Sequence, residues 1–231
     1  MGISLAKGQK IDLKKSSGEK LDKFCVEVSW GAIEKIVNVK EGGFLGFGGT
    51  IVKRKKNIDV DLDLGSIIVD ENGKWIDHVY SPEYNGYLNK NNLPLGRLKS
   101  KDYSLIHSGD DLGQGGGNDF KEVISVDLSK VSSQADKIFF FLNIYLNEGQ
   151  MFDFSDIPFA KIKMYEGTPS RITKEFSTFD VVTDSDFNGK RALIMGKLYK
   201  KNGLWKFDAI GDATDDHIFT QTIGKILKEY V

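Results

Sequence analysis

The sequence predicts an all-β fold, a two-sheet β-sandwich closed by a single C-terminal α-helix. Three observations carry that prediction. Short segments rich in β-branched and aromatic residues recur along the chain, separated by Gly- and Asn-containing turns. One of them, residues 138–146, is almost wholly apolar, as a central strand buried on both faces must be. Only the final stretch, from Asp215 onward, repeats its apolar residues at helical spacing.

The elements follow in chain order. Residues 24–30 alternate partly and are rich in β-formers. Residues 60–64 alternate strictly, with Val60, Leu62 and Leu64 on one face and acids on the other. Residues 122–128 carry Val123, Ile124 and Val126, and strands follow at 138–146, 160–165, 191–199 and 204–210. Lys200, Lys201, Asn202 and Gly203 form the tight hairpin that joins the last two. In the terminal helix Phe219, Ile223, Ile226, Leu227 and Tyr230 share a face, with Thr214 or Asp215 as cap and Asp216 in the first turn. Its polar face is only weakly basic, so it is a packing helix and not a membrane-surface one.

Two segments break the pattern. Residues 40–56 hold five glycines (Gly42, Gly43, Gly46, Gly48 and Gly49) and then the basic run Lys53, Arg54, Lys55, Lys56. Residues 108–119 combine glycines with Asp110, Asp111 and Asp119. With no linker composition elsewhere, the expectation is one domain over residues 1–231, with a Gly-rich, basic loop extension at about 40–57.

Composition narrows the function classes. The formal net charge of −1 gives no global attraction to nucleic acid or an anionic membrane. The single cysteine, Cys25, rules out an intrachain disulfide and a thiolate zinc site. The first residues lack the apolar core of a signal peptide, and no run nears the roughly 20 apolar residues of a membrane span. A cytoplasmic location is therefore expected.

The acidic segments are where chemistry is expected. On a strand, Asp59, Asp61 and Asp63 point to one side, about 6.6–7 Å apart. Unit charges at that distance repel by about 2–2.5 kcal/mol at an effective dielectric of 20, a penalty a divalent cation reverses. The alternative is a solvated outer face of an antiparallel sheet. The Gly-rich acidic loop, with Asp110, Asp111, Asn118, Asp119 and then Glu122 just inside the next strand, offers carboxylate, amide and backbone oxygens. Calcium takes six to eight such oxygens, and glycines let backbone carbonyls turn inward at low steric cost. The same composition also serves a plain flexible loop. EF-hand spacing is missing, and His78, His107 and His217 lack zinc-site spacing. His107, beside the acidic loop, is either a supporting partner of a metal site or an ordinary strand-end residue.

Other motifs fail. Residues 46–50 are followed by Ile51 and not by Gly-Lys-Ser/Thr, so they make no phosphate loop. The basic run lacks the interleaved aromatics that stack bases. There is no Gly-x-Ser-x-Gly elbow and no His-Glu-x-x-His.

In this order the segments resemble the TerD-like proteins of bacterial tellurium-resistance and general-stress operons. The resemblance is carried by residues 3–13, by Val28, Ser29, Trp30 and Gly31, by residues 60–66 (Val-Asp-Leu-Asp-Leu-Gly-Ser), by residues 107–112 (His-Ser-Gly-Asp-Asp-Leu), by residues 122–131 and, most distinctively, by residues 196–211. It spans nearly the whole chain. It implies a calcium-binding β-sandwich, with Asp61, Asp63, Asp110, Asp111 and Glu122 as ligands. Asn118 and Asp119 join the candidates, with their register left open by a one-residue length difference.

Departures accompany the likeness. The family's denser acidic run is thinned here to residues 113–122, and Gly31 and Ala32 stand where an acid often follows the Gly-Trp element. Fewer charged ligands lower affinity. The resemblance implies a non-enzymatic binding or scaffold protein in a stress or metal-resistance system. Its partners would be calcium and either related family members or a membrane protein from the same operon, with no nucleic acid and no direct membrane insertion. Two alternatives stay open: a ligand-binding sandwich using calcium as a bridge, marked by aromatic rings beside the metal, and a metal-dependent hydrolase.

Overall fold

The computed structural model describes residues 3–4, 7–15, 18–42, 50–58, 60–109, 119–146, 149–181 and 185–231. Asp59, Asp110, Asp111 and Asn118 lie outside the described residues, and Asp119 is described by its backbone alone.

Two six-stranded sheets pack face to face. The first contains β1 (Ile3–Ser4), β3 (Lys23–Gly31), β8 (Leu105–His107), β9 (Asp119–Asp127), β11 (Ala160–Thr168) and β12 (Arg171–Asp180), in the order β1-β12-β11-β3-β9-β8. The second contains β2 (Lys10–Asp12), β6 (Asp61–Val69), β7 (Trp75–Val79), β10 (Lys137–Tyr145), β13 (Ala192–Lys201) and β14 (Leu204–Thr214), in the order β2-β14-β13-β10-β6-β7. All these pairings are antiparallel except β1 with β12. The expected β-sandwich is what forms.

The main core lies between the sheets. Val26, Val28 and Trp30 from β3 meet Leu62, Leu64 and Ile68 from β6 and Phe140 and Leu142 from β10. A second cluster covers the outer face of the second sheet, where Ile67, Val69, Phe139 and Phe141 pack under helices α1 (Asn85–Lys90) and α2 (Phe219–Glu229). β10 is buried on both faces, with Ile138, Phe139, Phe140, Phe141 and Leu142 all sealed from solvent, which is why its sequence is a continuous apolar run. Gly65 is required on β6: Phe141, its cross-strand partner, lies with its ring where a Cβ would stand.

The terminal helix starts later than the sequence predicts. Thr214 ends β14, and its hydroxyl donates to Asp216, whose other oxygen takes Lys225 Nζ. Ile218 occupies the cap position without a side-chain bond, and Gln221 Oε1 accepts the His217 N–H (2.7 Å) instead. The expected hairpin at 200–203 is present, with Asn202 and Gly203 both left-handed (φ 53° and 73°) as a tight turn demands.

The basic segment is not the loop the sequence predicts. Thr50–Ile58 forms β5, paired residue for residue with β4 (Ile33–Glu41) in a two-stranded ribbon separate from both sheets. Lys53, Arg54, Lys55 and Lys56 lie on that strand, exposed.

Candidate metal centre at the open end of β6

β6 is paired with β10 along its whole length, but β7 covers only Ser66 to Val69. Toward Asp61 no strand among the described residues pairs with β6 on that side, and its peptide groups need other partners. Side chains from the first sheet supply them. Glu122 of β9, fully buried, accepts the Leu64 N–H through Oε2 (2.7 Å). His107 at the end of β8 binds the Leu64 carbonyl through Nε2 (3.0 Å), and that nitrogen also lies 3.4 Å from Glu122 Oε2. Its Nδ1 accepts the Gly109 N–H (3.0 Å), so the ring proton is on Nε2 and the imidazole donates to Leu64.

A third tie fixes the strand's start. The indole N–H of Trp30, wholly buried and stacked on Phe120 at 5.8 Å, donates to the Val60 carbonyl (2.6 Å), one residue before Asp61. The sequence motif around Trp30 thus anchors the acidic strand.

Asp61 and Asp63 project to the outer face of the second sheet, on the same side as expected from strand alternation. Asp61 is half-buried and stands opposite Tyr145; Asp63 is buried and stands opposite Asn143. Tyr84, carried by the turn before α1, donates its hydroxyl to Asp63 Oδ2. Burial first, then the negative charge of Asp63, hold the Tyr84 phenol well above its ordinary pKa, so it remains a proton donor.

Of the predicted ligands, the structure brings Asp61 and Asp63 together on one face. Glu122 reaches the adjacent residue, Leu64, from between the sheets, and one of its oxygens serves the backbone. Asp119 opens β9 opposite Gly31. Among the described residues no three His, Cys, Asp or Glu side chains form a metal-holding group. The described donors suit a hard cation, since both are carboxylates. Two donors are fewer than calcium's six to eight; of the other predicted ligands, Glu122 serves the Leu64 amide, Asp110, Asp111 and Asn118 lie outside the described residues, and Asp119 is described by its backbone alone.

Sequence reasoning missed Tyr84 and Asn143. Tyr84 sits in a turn begun by Pro82, where the Ser81 hydroxyl accepts the Glu83 N–H. That Ser-Pro-Glu start was the available signal. Asn143 lies within an apolar run and carried no signal at all. His78 is buried, with Nε2 on the Leu95 carbonyl (2.8 Å) and Arg97 against Nδ1. Burial pushes its pKa down to about 4.

A two-sheet sandwich with helices on one outer face, and an acidic strand end fastened to the stems of a Gly-rich acidic loop, defines a class of β-sandwich with a candidate cation site. The chain belongs to the TerD family: the TerD domain matches residues 1–225. Stress response protein SCP2 of Bacillus subtilis is 34% identical over 221 residues, covering 94% of each chain. Tellurium resistance protein TerZ of Serratia marcescens is 28% identical over 233 residues, covering 98% of this chain and 100% of that one. The fold is also that of a homologue of telluride resistance protein (TerD) from Streptomyces coelicolor, with a TM-score of 0.56 at 15% identity over 90% of this chain and 96% of that one.

Proposed function

We propose that this chain is a calcium-binding, non-enzymatic stress-response protein of the tellurium-resistance type, acting as a binding or scaffold component. One observation carries the reading. Both stems of the acidic loop, at His107 and Glu122, are fastened to Leu64, the neighbour of Asp63. The described residues on either side of the 110–118 segment are therefore held to the strand that bears Asp61 and Asp63. A hard divalent ion shared between loop and strand would relieve the repulsion of carboxylates gathered there. The names carried by the relatives, stress response and tellurium resistance, support the biological half of the reading.

A non-enzymatic role fits the histidines. His78 and His107 spend their ring nitrogens on backbone groups and Arg97, and His217 Nδ1 faces Arg191 at 2.6 Å. The cytoplasm is the proposed compartment: Cys25 is a free thiol, buried, and its pKa is raised by that burial. No described helix is long and apolar enough to cross a membrane. Related family members or a membrane protein are the proposed partners.

Calorimetric titration of chelator-treated protein with calcium and with magnesium tests the ion. Binding to the folded state stabilises it by about 2.7 kcal/mol at 100-fold excess over Kd. Calcium is expected to raise the melting temperature of the wild type and to leave that of the Asp61→Ala, Asp63→Ala double variant unchanged. An equal rise in both proteins removes Asp61 and Asp63 from the site.

A further inference from the structure

The β4–β5 ribbon stands apart from both sheets and is rooted in the main core at Ile33 and Ile58. Nine residues to a strand give it a length of about 30 Å. Antiparallel pairing sorts its side chains onto two faces. One face carries, from the root outward, Glu34 opposite Asn57, Ile36 opposite Lys55, Asn38 opposite Lys53, and Lys40 opposite Ile51. All of these side chains are exposed, the two isoleucines by more than two-thirds. Each isoleucine is set across from a lysine, so apolar tips and ammonium groups share one open surface.

Three features set the chemistry of a partner. The first is charge. The ribbon carries +4 in a chain whose total is −1, which leaves −5 on the rest, so an anionic partner is attracted here and repelled elsewhere. Its acids, Glu34 and Glu41, are already paired with Lys55 and Arg54, and among the described residues Lys53 and Lys56 enter no ion pair. The second is the kind of cation. Five of the six basic residues are lysines. An ammonium on a flexible stem is a point charge that suits a field of mobile anions, whereas the rigid fork of arginine suits a fixed carboxylate or phosphate. The third is the isoleucines. They gain nothing from a phosphate backbone, and this face has no aromatic ring to stack on bases. At a bilayer surface they can enter the boundary below the headgroups, while the lysine stems lie along it and keep their charges among the phosphates.

We propose that this face of the ribbon docks on an anionic phospholipid surface, with Lys40, Lys53 and Lys55 among the headgroups and Ile36 and Ile51 in the interface. The contact is peripheral and crosses nothing. It goes beyond the calcium reading and stands without it, because it uses no residue of the acidic site.

The experiment is co-sedimentation of the full chain, in chelator, with vesicles of phosphatidylcholine alone and of phosphatidylcholine containing one-third phosphatidylserine. Binding to the anionic vesicles is expected to be at least about tenfold tighter than to the neutral ones and to be lost when salt is raised from about 0.1 M to about 0.5 M. Lys53→Gln with Lys55→Gln is expected to weaken it at least about tenfold, and Ile36→Thr with Ile51→Thr at least about threefold. Unchanged melting curves check that both variants fold. Lys90→Gln with Lys101→Gln makes the same change in net charge on exposed lysines outside the ribbon, and is expected to leave binding within about twofold of wild type. No binding to anionic vesicles, equal binding to neutral ones, full affinity in either ribbon variant, or an equal loss in Lys90→Gln with Lys101→Gln would each overturn the proposal. Binding of duplex DNA in place of the vesicles would overturn it too and assign the face to a nucleic acid. Loss of calcium binding alone, with the vesicles still bound, counts against the calcium reading only.

Discussion

Two neighbouring stretches of the chain, the β4–β5 ribbon and the start of β6, are both β-structure and obey opposite rules. The chain leaves β5 at Ile58 and enters β6 at Asp61. In between it passes from a ribbon that solvent reaches on both faces to a strand that is buried along nearly its whole length. The ribbon carries Lys35, Lys40, Lys53, Arg54, Lys55 and Lys56 against Glu34 and Glu41, a net charge of +4 within a chain whose total is −1. Its ion pairs, Lys55 with Glu34 and Arg54 with Glu41, are exposed. At the acidic end each group is instead enclosed and tied: Trp30 to Val60, Glu122 and His107 to Leu64, Tyr84 to Asp63. Burial is what makes a tie strong, because an enclosed polar group cannot fall back on water. Charges on the ribbon lose little when a partner is removed; groups at the acidic end lose much.

Trp30 offers the largest test of that contrast. Trp30→Ala removes a wholly buried ring from the main core and the N–H that holds Val60, and is expected to cost about 3–5 kcal/mol in urea unfolding. Trp30→Phe keeps most of the ring but leaves the Val60 carbonyl without its donor, for a loss of about 1–3 kcal/mol. If Trp30→Phe unfolds at the wild-type midpoint, the anchor at the start of β6 does not matter and the contrast weakens.

Glu122→Ala comes next. It deprives the Leu64 N–H of its acceptor in a site closed to water, for an expected loss of about 1–3 kcal/mol. Amide hydrogen exchange sharpens the reading. The Leu64 amide should lose protection more than Ile67, whose segment of β6 keeps β7 as a neighbour. Equal loss along the strand would mean that Glu122 stabilises the sandwich as a whole and not its open end.

What the sequence made legible follows the same division. The strands of the sandwich announce themselves because a buried face imposes a pattern: alternation at 60–64, a continuous apolar run at 138–146, the helical stripe from Phe219 to Tyr230. The ribbon has no buried face, so nothing forced an apolar alternation on it, and glycines with a basic run imitate a loop. The carboxylate face of β6 was legible from spacing alone. Its supports were not: Glu122 is as acidic in sequence as a metal ligand, and only the missing strand beside Leu64 explains why one of its oxygens serves a backbone amide. Asn143 and Tyr84 come from elements that meet only in the folded chain.

The ribbon should show the smallest effect. Ile36 and Ile51 are 69% and 68% exposed, on the same face of the ribbon, with Lys55 and Lys40 as their cross-strand partners. Because they bury so little, replacing both by Thr should leave unfolding free energy within about 0.5 kcal/mol of wild type. Thr keeps β-branching, so strand propensity is held nearly constant and only apolar contact is removed. A two-stranded ribbon is marginal by itself, and this one persists through its root, where Ile33 is buried in the main core beside Ile58. Ile33→Thr should therefore destabilise more than the double change at Ile36 and Ile51. The reverse order would mean that the exposed face is covered in solution, and the ribbon would then have to be regarded as packed against another surface, with its charge serving that contact.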